Sequence, residues 1–105
     1  MARDGRRSSA ANAFLKPARG RPNLTVHTRA HASRILMNGT TATGIEYFQR
    51  GKSVTAMADR EVILSGGVFN TPQLLMLSGI GPAAHLGEFG ISCLSDLPVG
   101  KNLQD

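Results

Sequence analysis

Polar and apolar residues alternate along the first half of the chain and then stop alternating. Leu24, Val26 and Thr28 fall on one side of an extended segment and Thr25 and His27 on the other, the period-two pattern of a strand. A second strand is predicted over 33–37 and a third over 43–49, where Ile45 and Tyr47 share a face. Asn38-Gly39 between them supplies the positive-φ pair of a tight hairpin, and Gly51-Lys52 turns the chain into a return strand over 54–58. These segments predict an antiparallel meander of three to four short strands. Val62-Ile63-Leu64 breaks the pattern: a continuous apolar run predicts a strand buried on both faces.

Helix signals flank the meander. Over 9–16, Ser8 or Ser9 serves as cap, Ala10, Ala11 and Ala13 favour the helix, and Pro17 is expected to stop it. After the apolar run and Gly66-Gly67, Thr71 is expected to cap a second helix with Pro72 in its first turn. Leu74, Leu75 and Leu77 form its apolar face and Gly79 ends it. A short helix over 83–88 closes at Gly90, a last strand is expected over 91–94, and 96–105 reads as loop. The result is a mixed α+β chain.

The loop Ser65-Gly66-Gly67 is the candidate site. Glycines placed after a strand let the main chain approach a ligand with no Cβ in the way, although an ordinary strand-to-helix turn uses the same letters. Gly79-Ile80-Gly81-Pro82-Ala83-Ala84 also fits the dinucleotide pattern G-x-G-x-x-G/A. The segment before it is helical in character and has no β-branched residue, so a helix stop followed by a new helix explains it better. His27, His31 and His85 are scattered without metal-ligand spacing. Ser65 and Ser78 lack a placed base. No catalytic constellation emerges.

Composition sets bounds on this picture. The 105 residues suffice for about one small domain, with 41% hydrophobic residues but 5% aromatic and no Trp, so any core is aliphatic. Twelve glycines point to many turns or a shaped loop. The net charge of +5 is lopsided: residues 1–34 hold eight Arg and Lys and one acid, Asp4. Such an arm suits nucleic acid, an anionic membrane or plain solvation. Only Phe14 is interleaved with the arginines, which weakens base stacking, and no nucleic-acid partner is expected. The first 22 residues also have the Arg- and Ser-rich, acid-poor composition of a mitochondrial transit peptide. The single cysteine, Cys93, excludes an internal disulfide and is expected as a small packed residue beside Ile91 and Leu94. That fits a reducing, cytoplasmic location. No run approaches the ~20 apolar residues of a membrane span.

One stretch is specific enough to suggest a family. Residues 67–81, from Gly67-Val68-Phe69-Asn70-Thr71-Pro72 to Ser78-Gly79-Ile80-Gly81, resemble the second signature of the glucose–methanol–choline (GMC) flavin oxidoreductases. Gly5-Arg6-Arg7-Ser8-Ser9, Ala13-Phe14-Leu15, Arg21-Pro22-Asn23-Leu24-Thr25-Val26 and the segment from Asp96 to Asp105 are similar to flanking stretches of the choline- and alcohol-dehydrogenase-like branch. The resemblance covers nearly the whole chain. It implies an α+β or α/β fragment of a GMC-type FAD-binding domain, a middle segment of a longer protein. Residues 1–18 would be a helix-containing lead-in, 23–65 the meander and buried strand, 66–90 the glycine loop and two helices, and 91–105 a strand and loop.

The resemblance further implies FAD as cofactor and oxidation of the CH–OH group of a small alcohol, choline among them, by a dehydrogenase or oxidase. It places the backbone of Ala32 against the adenine, and Ser65, Gly66 and Gly67 beside the adenosine half. Gly66 and Val68 depart from the family pattern, where alanine is commoner. The strand–G-x-G-x-x-G–helix that holds the pyrophosphate and the catalytic histidine have no counterpart here, so no catalytic residue is assigned and the 105 residues alone are expected to be inactive. The alternative is a small basic non-catalytic binding protein or a decayed gene fragment.

Overall fold

The centre of the structure, a computed structural model that describes residues 2–104, is a three-stranded antiparallel sheet. Its strands are β3 (His31–Asn38), β4 (Thr41–Gln49) and β5 (Lys52–Met57), paired in chain order. Upstream lies a two-residue hairpin, β1 (Ala2–Arg3) with β2 (Arg6–Arg7). The meander expected from the alternation is therefore present, with three strands. Both of its hairpin turns sit one residue off the expected position. Asn38 pairs with Thr41, leaving Gly39 and Thr40 as the turn, and only Gly39 has positive φ, the Gly-X form of a type II′ turn. Gln49 pairs with Lys52, so Arg50 and Gly51, both at positive φ, make the second turn as a type I′ pair.

The strand expected over 24–28 does not form. The segment joins neither of the sheet's outer edges, β3 or β5, and stays extended without a ladder. It is held instead by the Gln49 side-chain amide, which donates to the Thr28 carbonyl at 3.0 Å, and by the His27 ring, 6.2 Å from that of Tyr47. The Val62–Leu64 run is likewise not a strand, and Ile63 is 76% exposed. An apolar run becomes a buried strand only where neighbours cover both faces, and among the described residues no strand lies beside it.

Helical structure begins where expected. Ser9 accepts the Asn12 N–H at 3.3 Å, the bond a cap makes to the third helical residue. The helix is a π-helix over Ala11–Leu15 that continues as α1 (Lys16–Ala18), running past Pro17. The Lys16 N–H reaches back five residues to the Ala11 carbonyl. This wider turn relieves the contact between a proline ring and the carbonyl four residues earlier, which is why Pro17 does not end the helix.

Helix α2 (Gly67–Leu77) starts earlier than expected, so Thr71 and Pro72 lie inside it. Pro72 leaves the Val68 carbonyl without its helical donor, and Val68 is exposed enough for water to serve. Gly79 ends α2 as expected, at φ +89 with its N–H on the Met76 carbonyl. Next come β6 (Ile80–Gly81) and α3 (Ala83–Glu88), whose first N–H is taken by the Asp96 carboxylate at 2.9 Å. Residues 91–94 are not a strand. The pairing strand is β7 (Ser95–Asp96), parallel to β6. The Leu94 and Ser95 N–H groups both go to the Gly79 carbonyl, which carries the register four residues further along. Cys93 is exposed rather than packed, with its thiol 3.8 Å from the Gly81 carbonyl. Ile35 and Leu86 are the buried hydrophobic residues among those described.

Candidate functional site

Helix α2 packs against β3, the edge strand of the meander, and a cleft of about 550 Å³ opens between them. That volume lies within the usual range for small-molecule sites. One wall is the start of β3, with Ala32 and Ser33. The other is the loop at Leu64, Ser65 and Gly66 leading into α2. Ala32, Ser65 and Gly66, more than thirty residues apart in the chain, thus line one cavity. Gly67 does not line it: it begins α2 at φ +95, and a Cβ there would meet nothing within 4 Å. Val68 is exposed and also lies off the cleft.

The two glycines therefore have different causes. Gly67 is required by its left-handed backbone, which L side chains rarely adopt. Gly66 has an ordinary φ of −81, but a Cβ would sit 3.3 Å from both Asn70 Cβ and Thr71 Oγ1. Its missing side chain makes room for α2 as well as opening the cleft. The Gly66 N–H donates to Thr71 Oγ1 at 2.9 Å, so Thr71 ties the loop to the helix from inside it and does not cap the helix start, where no side chain bonds a first-turn N–H. Sequence reading missed the rim of the cleft. His31, Asn70 and Gln73 stand there around an aliphatic interior that includes Ile45 and Leu74. Two-residue alternation marks Ile45 as inward, but only the position of α2 over β3 shows that Asn70 and Gln73 share its cavity.

The helix is fixed to the strand by Ser78, which is 9% exposed. Its Oγ accepts the Ile35 N–H at 2.8 Å, and its hydroxyl donates to the Leu74 carbonyl at 2.6 Å. Both capacities of the hydroxyl are used, as burial requires. A smaller concavity of about 350 Å³ lies beyond this contact, between Arg34–Met37 and Ile91–Leu94. Another, of about 580 Å³, is bounded by Asp4, Arg6 and Arg7 and their neighbours and lacks the apolar walls of the first. No helix among the described residues is long and apolar enough to cross a membrane.

The residues present fit a planar, mostly apolar ring with a polar appendage. Small side chains at Ala32, Ser33, Ser65 and Gly66 keep the mouth open, the interior is aliphatic, and the polar groups lie at the rim. The outer edge of β3 adds backbone N–H and C=O groups that β4 does not use.

Comparisons with known proteins agree on one family. The family description GMC oxidoreductase matches residues 1–105. Over 103 residues the chain is 53% identical to the Homo sapiens protein named choline dehydrogenase, mitochondrial, a match spanning 97% of this chain and 17% of that protein. Pyridoxine 4-oxidase from Mesorbium loti superposes with a TM-score of 0.83 at 42% identity, covering 92% of this chain and 19% of the other. An FAD-dependent oxidoreductase from Chaetomium thermophilum does so with a TM-score of 0.76 at 35% identity, covering 85% of this chain and 16% of the other. This chain thus spans a small part of each relative's length, and all of it falls within the matching region. The chain belongs to the GMC oxidoreductase family.

Proposed function

We propose that this chain is a segment of an FAD-dependent oxidoreductase acting on the CH–OH group of a small alcohol, choline-type alcohols included, and that it holds the adenosine half of the cofactor. The observation that carries this reading is the cleft in which Ala32 on β3 faces Ser65 and Gly66 before α2. The backbone of Ala32 would meet the adenine edge, the Ser65–Gly66 loop would run beside the ribose, and Gly67 would set the loop's exit into α2. FAD, when bound, supplies the hydride acceptor for the alcohol carbon. The residues of this chain bind and orient the nucleotide. On this reading the pyrophosphate loop and the proton-accepting histidine would be supplied from outside these 105 residues. The whole of 1–105 is then one incomplete FAD-binding unit, with its lead-in, meander, glycine loop with two helices, and closing segment. A cytoplasmic location is part of the same reading, supported by the single free cysteine.

The test is direct. The purified 105-residue chain is titrated with FAD, followed by flavin absorbance and by competition with ADP, and then assayed for alcohol oxidation. Saturable binding that ADP displaces, with no turnover, is the expected result. Turnover by the 105 residues alone would overturn the division of labour. Binding to polyanions that weakens steeply with salt, with no binding of ADP, would replace the reading by a basic binding protein.

A further inference from the structure

We propose that Ser78 is a positioning residue for the nucleotide cleft: its hydroxyl clasps α2 to β3 and thereby fixes the separation of the two walls. The proposal rests on the reading of the cleft as a nucleotide site. Ser78 belongs to neither wall. It lies one helical turn beyond Leu74, at the far end of α2 from Gly66. Ile35, its partner, stands about 10 Å along β3 from Ala32, at ~3.3 Å per residue. Gly66 of the opposite wall stands about 18 Å back along α2 from Ser78, at ~1.5 Å per residue. The clasp therefore lies beyond both walls, where strand and helix are joined, as the pivot of a pair of tongs does.

The chemistry of the contact makes it a latch rather than a loose contact. β3 is an edge strand, and Ile35 is buried at 6% exposure, so its outward N–H has neither a neighbouring strand nor ready access to water. Ser78 Oγ supplies the acceptor at 2.8 Å, and the same oxygen is oriented by its own bond to the Leu74 carbonyl. Leu74 is in turn a lining residue of the cleft. The bond that orients the latch is thus made by the residue that forms the cleft's interior. Without the hydroxyl, α2 keeps its helix and β3 its ladder, but the angle between them is set by aliphatic contact alone. A nucleotide must then order the walls as it binds, and that cost appears as lost affinity.

The experiment compares Ser78→Ala, Ser78→Thr and, as a control of similar chemistry, Thr43→Val. The last removes a side-chain bond to the Leu36 carbonyl at 3.1 Å, between β3 and β4 and outside the cleft. Binding of fluorescently labelled ADP is measured by anisotropy at micromolar chain, below the melting temperature of every variant. Ser78→Ala is expected to weaken binding about tenfold, Ser78→Thr to restore it to within about threefold, and Thr43→Val to leave it unchanged. Equal affinity of Ser78→Ala and wild type, or an equal loss in Thr43→Val, would overturn the proposal. Hydrogen exchange of the ligand-free chain decides the clasp independently. Ser78→Ala should speed exchange in peptides covering both 30–36 and 64–74, and acceleration confined to 75–80 would refute it. Failure of the wild-type chain to bind ADP would sink the nucleotide reading, with the exchange result still deciding whether Ser78 couples the walls.

Discussion

Replacing Gly79 by alanine tests how the helix stop is coupled to the segment beyond it, and Gly90→Ala supplies the reference. Both glycines have positive φ, +89 and +70. The left-handed backbone costs a side-chain-bearing residue roughly 1–2 kcal/mol at either site. The loss of chain entropy in the unfolded state returns about 0.4–1 kcal/mol to both variants. They differ in their surroundings. A Cβ on Gly90 meets nothing within 4 Å, whereas one on Gly79 would lie 2.7 Å from the Ser92 carbonyl oxygen and 3.1 Å from Leu94 Cγ. The Ser92 oxygen cannot easily retreat, because the next residues are tied down by the Leu94 and Ser95 N–H groups, at 2.7 and 3.2 Å from the Gly79 carbonyl. Overpacking of this kind adds roughly 1–3 kcal/mol. Gly79→Ala should therefore lose about 2–4 kcal/mol and Gly90→Ala about 1 kcal/mol or less. In a domain of this size the larger loss lowers Tm by on the order of 10–20 °C, and the smaller by about 5 °C. Thermal unfolding followed by far-ultraviolet circular dichroism, with urea melts for the free energies, reads both. If the two variants lose the same stability to within about 0.5 kcal/mol, the close approach contributes nothing and the coupling argument fails.

Three further changes separate local from global effects. Asp96→Ala removes the acceptor for the first N–H of α3 and should cost about 1 kcal/mol by urea melt, in the range for a lost helix cap; an unchanged midpoint would mean that water replaces the carboxylate fully. Thr71→Val takes the acceptor from the exposed Gly66 N–H, so stability should fall by less than about 1 kcal/mol. The Gly66 amide should then exchange markedly faster, and unchanged exchange would mean that the bond does not hold the loop. Ile63→Lys places a charge on a side chain that is 76% exposed, and should raise the soluble fraction after expression without moving Tm; a falling Tm would show Ile63 packed in the chain as it folds.

The parts of the fold set by local chemistry are legible in the sequence. Alternation locates β3, β4 and β5, and Gly79 and Gly90 mark the ends of α2 and α3. Sequence and structure part where tertiary pairing decides. Leu24–Thr28 alternates as well as β3 does, but it pairs with neither outer edge of the sheet. Val62–Leu64 has the composition of a buried strand and no strand beside it among the described residues. Turn positions slip by one because Asn38 and Lys52 are as suited to a ladder end as to a turn. Thr71-Pro72 reads as a helix start because both residues favour one. The real start lies at Gly66-Gly67, where loop geometry outweighs propensity. The grouping of Ala32 with the glycine loop is legible only through family resemblance, since no spacing in the chain links residue 32 to residues 65–67. The rim residues Asn70 and Gln73 carry no marker that separates them from any polar helical surface.

The unpaired apolar run and the cleft belong to one physical question. A folded chain of this mass should expose about 5,700 Å², and the observed 8733 Å² is about 3,000 Å² more. Its radius of gyration, 16.6 Å, exceeds the ~13 Å of a closed unit of equal length. The excess is not spread evenly over polar surface: Phe14, Ile63, Phe69, Met57 and Phe89 are each more than two-thirds exposed. A second copy of the chain would cover only about 800 Å² of each partner in an interface of ordinary size. Contact on the scale of a domain core is needed to cover it. Ile63 and Leu64 both line the cleft between β3 and α2, so the surface in want of cover borders the proposed site. What completes the core then also closes the cleft, and tight FAD binding and burial of the Val62–Leu64 run should arise together rather than one by one.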